Sequence, residues 1–386
     1  MKRKWHKSPV YWLLFLCLLG ACISWVFWLR TERKPVAVLL VDKTVPFTNY
    51  QEHRSFYMIL KNMKWVKPNS EFYDYERDYL GFYPHEHPKV FTKHLNAYDS
   101  VAIAAMADSI DMLYLADAYG VYSNEWYRKA SINERSKLVY GGSTSKEADL
   151  VEAMQTRDKL VLGEFNIFAS PTSKTVRNQL EQLFGVKWTG WTGRYFESLK
   201  PGNDDLPQWV IDLYFKKYET NKWPFKRGGM VFVHENTNIV VLDEKRDMAE
   251  EPWPIIFSLP RAKQQFDLPQ AMAYPFWFDV LEPDSGTTVL SQYHLFLSDT
   301  GAYQLRVAGI PNKFPALVNH GKTYYMAGDF ADNNLPKGIW PYLKGSYTYF
   351  NTWRINTPSQ IKSRKAFFRH YYFPFIKHVM EQEVFQ

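Results

Sequence analysis

Apolar runs that end on an acid, each followed by an amphipathic stretch, recur through the first half of the chain. Pro35-Val-Ala-Val-Leu-Leu-Val-Asp42 reads as a buried strand closing on a carboxylate, and Thr48 or Asn49 can cap a helix through Phe56-Tyr-Met-Ile-Leu60. Asp111-Met-Leu-Tyr-Leu-Ala-Asp117 is a second strand of this kind. Lys137-Leu-Val-Tyr-Gly-Gly142 is a shorter one that runs into a glycine pair, and Ser145 opens a helix through Met154. Leu160-Val-Leu-Gly-Glu-Phe165 then leads into a helix after Pro171. Strands alternating with helices of this length predict an α/β fold with a mostly parallel, flavodoxin-like sheet, over residues 35–224.

Past Trp188 the pattern changes. Gly229–His234, Ile239–Asp243, Thr287–Leu290 and Leu305–Ala308 are strand-like, with turn residues between them, and predict a β-rich insertion or lobe over 225–320. Thr323-Tyr-Tyr-Met-Ala-Gly-Asp329 reads as a return strand of the core, and Ser363 to Glu383 as a closing helix kinked by Pro374, together making up 321–386.

The amino-terminal pattern is of another kind. Residues 8–29 carry no charge and are bracketed by Lys7 and Arg30. At about 1.5 Å per residue, a helix over 9–29 spans roughly 31 Å, the hydrocarbon thickness of a bilayer. Trp12, Trp25 and Trp28 suit the two interfaces. A cleaved signal should turn polar where this run continues through Ile23–Leu29, and Leu19-Gly-Ala-Cys22, although it resembles a lipobox, lies inside the same run. The expected element is an uncleaved transmembrane signal-anchor. Lys2, Arg3, Lys4 and Lys7 make the preceding flank, residues 1–8, the more basic one, which predicts an N-terminus in the cytoplasm and a body outside it at the cell membrane.

Charge and cysteine content narrow the chemistry. Residues 1–34 hold a balance of +6 against +7 for the whole chain, so the body is close to neutral and offers little clustered basic surface for nucleic acid. Both cysteines, Cys17 and Cys22, lie in the anchor, which leaves the body without a disulfide, a thiolate ligand or a cysteine nucleophile. The sequence indicates no cofactor. His85-Glu-His87 is framed by Pro84 and Pro88 as a loop without a third ligand, so no metal is expected there. Trp188, Trp191, Tyr195 and Phe196 form an aromatic segment that reads as core or as a sugar-stacking surface.

Ligands of open α/β sheets bind at the carboxyl ends of the strands. Four expected strands put Asp42, Asp117, Glu164 and Asp329 at or near that edge, with Gly141 and Gly142 beside it. Such acids bind sugar hydroxyls, form an acid/base pair, or simply cap the next element. Glu164 and Asn166 occupy the turn Gly163–Thr172, which is expected to face a ligand, and Arg194 is one candidate partner for the Glu164 charge.

These motifs resemble the class I glutamine amidotransferase-like fold. The resemblance rests on Val-Leu-Leu-Val-Asp42, Leu-Tyr-Leu-Ala-Asp117, the Gly141-Gly142 turn and Leu-Val-Leu-Gly-Glu164 at the family's elbow, over residues 36–200 and 323–330. The family's enzymes carry a cysteine at that elbow; this chain has Glu164-Phe-Asn166, so the resemblance implies the scaffold without glutamine hydrolysis. The function expected is a membrane-anchored extracytoplasmic module that binds, or assists the processing of, a cell-envelope polysaccharide. A carboxylate-dependent glycan hydrolase and a structural subunit of a membrane complex are the alternatives.

Overall fold

A computed structural model describes residues 9–128, 136–203, 205–333, 335, 338–345 and 363–385. The 1–8 tail therefore lies outside the described residues. The apolar segment is one helix, Pro9–Arg30.

The main sheet has ten strands in the spatial order Ala271–Ala273, Ile255–Ser258, Thr288–His294, Lys313–His320, Thr323–Met326, Leu160–Glu164, Met112–Asp117, Val38–Asp42, Leu80–Tyr83 and Phe91–Lys93. The five from Thr323–Met326 to Leu80–Tyr83 run parallel. All other pairings in it are antiparallel. The sheet is thus mixed, not mostly parallel. Four of the parallel strands are the apolar runs leading to Asp42, Asp117, Glu164 and Asp329, and Leu80–Tyr83 is the fifth; the antiparallel half grows from hairpins, which need no crossover helix.

A second, four-stranded antiparallel sheet orders Ile239–Asp243, Gly229–His234, Val186–Phe196 and Phe278–Pro283. Phe278 joins the two sheets, packing its ring against Tyr293 and Phe314 of the main one. Trp188, Trp191, Tyr195 and Phe196 lie on the long strand of the second sheet and are buried. Leu305–Ala308 is not a strand: it ends the helix Asp299–Ala308, which Ser298 caps and Gly309 terminates in the left-handed conformation.

Three helices bear on the site. Gln51–Met63 buries Phe56 against Tyr114, and Tyr50 precedes it with no side-chain cap, so neither Thr48 nor Asn49 caps it. Ser145–Gln155 opens with a capping box between Thr144 and Glu147. The closing segment is α-helical over Arg364–Phe367 and Phe373–Glu383, with a π-turn at Phe368–Tyr372 between them. Pro374 has no N–H to give and its ring needs room in the preceding turn, and the wider turn supplies that room.

Candidate functional site

The parallel register sets Asp42 beside Asp117, and Glu164 beside Met326. The expected acids therefore share one edge, and the structure adds Glu52, from the first turn of Gln51–Met63, and Asp332, from the loop after Asp329. Carboxylate oxygens of Glu52, Asp329 and Asp332 lie within 4.8 Å of one another. Arg364 answers them, with Nη2 3.0 Å from an oxygen of each aspartate, and its guanidinium lies 3.9 Å from the ring centre of Phe276. A divalent cation could sit among three such acids, but Arg364 already supplies a positive charge to two of them.

So many acids in little water resist ionisation together. Burial, then the charge of Asp332, pushes the Asp329 carboxyl up to about 7, against the opposing pull of Arg364. Burial and the neighbouring Asp332 and Asp329 raise Glu52 well above the usual carboxylate range. Burial raises Asp117 too, followed by the charge of Asp42.

Behind this rim the acids are braced. Asp42 is fully buried; its Oδ1 accepts from the Thr44 amide at 2.9 Å and its Oδ2 lies 2.5 Å from His53 Nδ1. The other nitrogen of His53 donates to the Tyr75 carbonyl, 2.8 Å away, so neither is open to a substrate. Asp117 accepts from the Tyr119 amide at 2.6 Å, an Asx turn. Glu164 is 1% exposed; Oε1 accepts from the Ala331 amide at 2.6 Å and Oε2 from the Tyr114 hydroxyl. Burial, then the charge of Asp329, raises its pKa well above the ordinary value. Glu164 therefore ties its strand to the loop that carries Asp332.

Arg194 is not its partner. That guanidinium, on the second sheet, grips Asp205 of the turn beyond it at 2.5 and 2.6 Å and stacks over Phe196. Asn166 has φ 73° in the turn after Glu164, and its amide serves the buried Asp279, whose carboxyl burial pushes up to about 7. Gly142 has φ 80°; its amide donates to Ala118 and its carbonyl accepts from Lys43 Nζ at 2.7 Å. Lys43 in turn pairs with the buried Glu147 at 3.0 Å, so the Gly141-Gly142 turn is bolted to the Asp42 strand. Gly328 is required where it is: a Cβ there would meet the Tyr293 and Tyr274 hydroxyls at 2.5 and 2.7 Å. Neither hydroxyl has a hydrogen-bond partner among the described residues. His85 and His87 are held apart, by the Tyr50 hydroxyl and the Trp126 carbonyl respectively.

A wider cleft lies elsewhere. Its roughly 380 Å³ open at the amino ends of the Val38–Asp42 and Leu80–Tyr83 strands, between Lys67, Tyr73 and Arg77, away from the acids.

No protein-family model matches the chain, and no curated protein does. Among the solved structures similar to it at low identity is a glutamine amidotransferase from Thermotoga maritima, 10% identical over 92% of this chain and 100% of that one, with a TM-score of 0.39. Another is described as ThuA-like, from Bacteroides uniformis, 10% identical over 81% of this chain and 89% of that one, with a TM-score of 0.34. The resemblance to the glutamine amidotransferase-like fold is weak. Neither neighbour's activity carries over to this chain, whose two cysteines are both exposed on the apolar helix.

Proposed function

We propose that the chain is a membrane-tethered, extracytoplasmic module that binds a cell-envelope polysaccharide at the acidic carboxyl edge of its sheet, without cleaving it. The carrying observation is the group Glu52, Asp329 and Asp332, with Arg364 laid over Phe276. Carboxylates accept hydrogen bonds from sugar hydroxyls, a guanidinium donates to ring and hydroxyl oxygens, and an aromatic face takes the apolar side of a pyranose. Arg364 holds the carboxylates of both Asp329 and Asp332, which ties up their charge and favours holding a ligand over hydrolysing it.

The tether reading has support of its own. Trp28, near the end of the apolar helix, is 6% exposed; its ring stacks on Phe72, and its Nε1 donates to the Lys61 carbonyl at 3.1 Å. Lys64 Nζ donates to the Leu29 and Thr31 carbonyls, at 2.8 and 2.9 Å, and so caps the helix end. A leader destined for removal has no use for such contacts. The intact mass of the purified protein should include residues 1–30; loss of that mass, or a lipid on Cys22, contradicts the tether. A glycan array probed with the full-length chain, wild-type and Asp332→Asn, tests the binding. Envelope glycans should be retained by the wild-type protein and lost by the variant, and absence of any glycan hit contradicts the reading.

A further inference from the structure

Where the apolar helix meets the body, a second cleft of about 160 Å³ lies among Arg54, Lys61, Tyr57, Tyr75 and Tyr342. Two of its walls are fixed by the helix itself: Tyr342 packs edge-on against Trp28, with ring centres 5.0 Å apart, and Lys61 accepts the Trp28 N–H. The cleft therefore lies beside the last turn of the helix. If that helix spans a bilayer, its end stands in the headgroup layer, roughly 5–8 Å deep on each side.

The charge of this cleft is unanswered. Arg54 is 5% exposed and spends its guanidinium on two neutral carbonyls, Asn49 at 2.9 Å and Leu335 at 2.5 Å. Its Nε is buried with no hydrogen-bond partner among the described residues. Among those residues no carboxylate lies within ion-pair distance of Arg54 or Lys61, whereas the buried cations Lys43 and Arg177 have Glu147 and Glu235, and buried Lys64 caps the helix end through two carbonyls. Lys61 rests on aromatic faces, 5.4 Å from the ring centre of Tyr342 and 5.9 Å from that of Phe72. A buried guanidinium without a counter-charge is costly, and an anion supplied from outside removes the cost. An arginine fork suits a phosphate oxygen, and Lys61 adds a point charge.

We propose that this cleft binds the phosphate headgroup of an anionic phospholipid. The inference rests on the tether reading, since only a retained helix keeps the cleft at the membrane. The lipid is chosen over free phosphate because the cleft shares its walls with the helix end. It is independent of the polysaccharide reading.

The test uses full-length protein in nanodiscs of phosphatidylcholine carrying a minor fraction of phosphatidylglycerol, with bound lipid counted by native mass spectrometry. Wild-type protein should hold phosphatidylglycerol above its bulk fraction. Lys61→Met, which keeps the packing and removes the charge, should lower that enrichment about fivefold, the contribution of one basic group beside an anionic surface. Arg54→Gln should lower it further; if that variant does not fold, Lys61→Met decides alone. No enrichment in wild-type protein of intact mass overturns the proposal and leaves the tether standing. Enrichment unchanged in a folded Lys61→Met also overturns it. Inorganic phosphate that binds with the same Lys61 dependence, in the absence of lipid preference, overturns the lipid assignment. A protein found to lack residues 1–30 fails the tether first.

Discussion

One helix, Gln51–Met63, serves two regions of opposite character. Its first turn sends Glu52 into an edge crowded with acids, while Arg54 and Lys61 line a cleft of cations and tyrosines. At the acidic edge, excess charge is relieved internally: by Arg364, by backbone amides, and by carboxyls that hold on to protons. At the cationic cleft, Arg54 and Lys61 have no such partner among the described residues. A region that neutralises itself is built to offer hydrogen bonds to a neutral, hydroxyl-rich ligand. One that does not is built to receive a charge.

The largest way to break this comparison is to remove the brace behind the acids. His53→Ala deletes the partner of a fully buried Asp42 and should cost about 3–5 kcal/mol, read by chemical denaturation. A change below about 1 kcal/mol would show that Asp42 and His53 do not organise the edge.

The proton-holding carboxyls give the next effect. Asp329 and Asp279 titrate near 7 in the folded chain, against 3.8 for an ordinary aspartate. The folded state therefore binds more protons than the unfolded one between these values, and these two groups destabilise progressively as pH rises through that window. Lowering the pH from about 7.5 to 5.5 should raise the melting temperature by on the order of 3 °C, and Asp329→Asn should flatten that slope. A melting temperature that falls over the same interval contradicts the assignment.

Smaller effects sharpen the position of Glu164. Glu164→Gln keeps an acceptor for the Ala331 amide and a polar contact to Tyr114, so the cost should be about 1 kcal/mol. Arg194→Ala removes a partly exposed pair with Asp205 and should cost under about 1 kcal/mol. In a double-mutant cycle the two should be additive. A coupling above about 1 kcal/mol would restore the Glu164–Arg194 pairing that the structure replaces.

Much of the acidic edge is legible in the sequence, because an apolar run ending in an acid states both a buried strand and the side of the sheet on which it stops. Asp42, Asp117, Glu164 and Asp329 carry that signal. Glu52 and His53 do not: on an amphipathic helix an acid and a histidine read as its solvated face, although His53 stands on the same turn as buried Phe56 and Tyr57. Arg364 reaches Asp329 across 35 residues, and no local periodicity encodes such a pairing. The spacing Asp329-x-x-Asp332 beyond an apolar strand was the one available sign of the rim. The mixed sheet is illegible for a related reason. Ile255–Ser258 and Ala271–Ala273 are too short to show a period, and a strand that extends an existing sheet looks in sequence like one that starts a new lobe.

The two regions are most directly separated by measuring both ligands on the same two variants of the full-length chain. Asp332→Asn should weaken binding of a cell-envelope polysaccharide by about tenfold or more, the loss of a charge-assisted hydrogen bond, and leave phosphatidylglycerol enrichment unchanged. Lys61→Met should do the reverse. Polysaccharide affinity that survives Asp332→Asn in a protein with wild-type melting behaviour would contradict the acidic edge as the binding face.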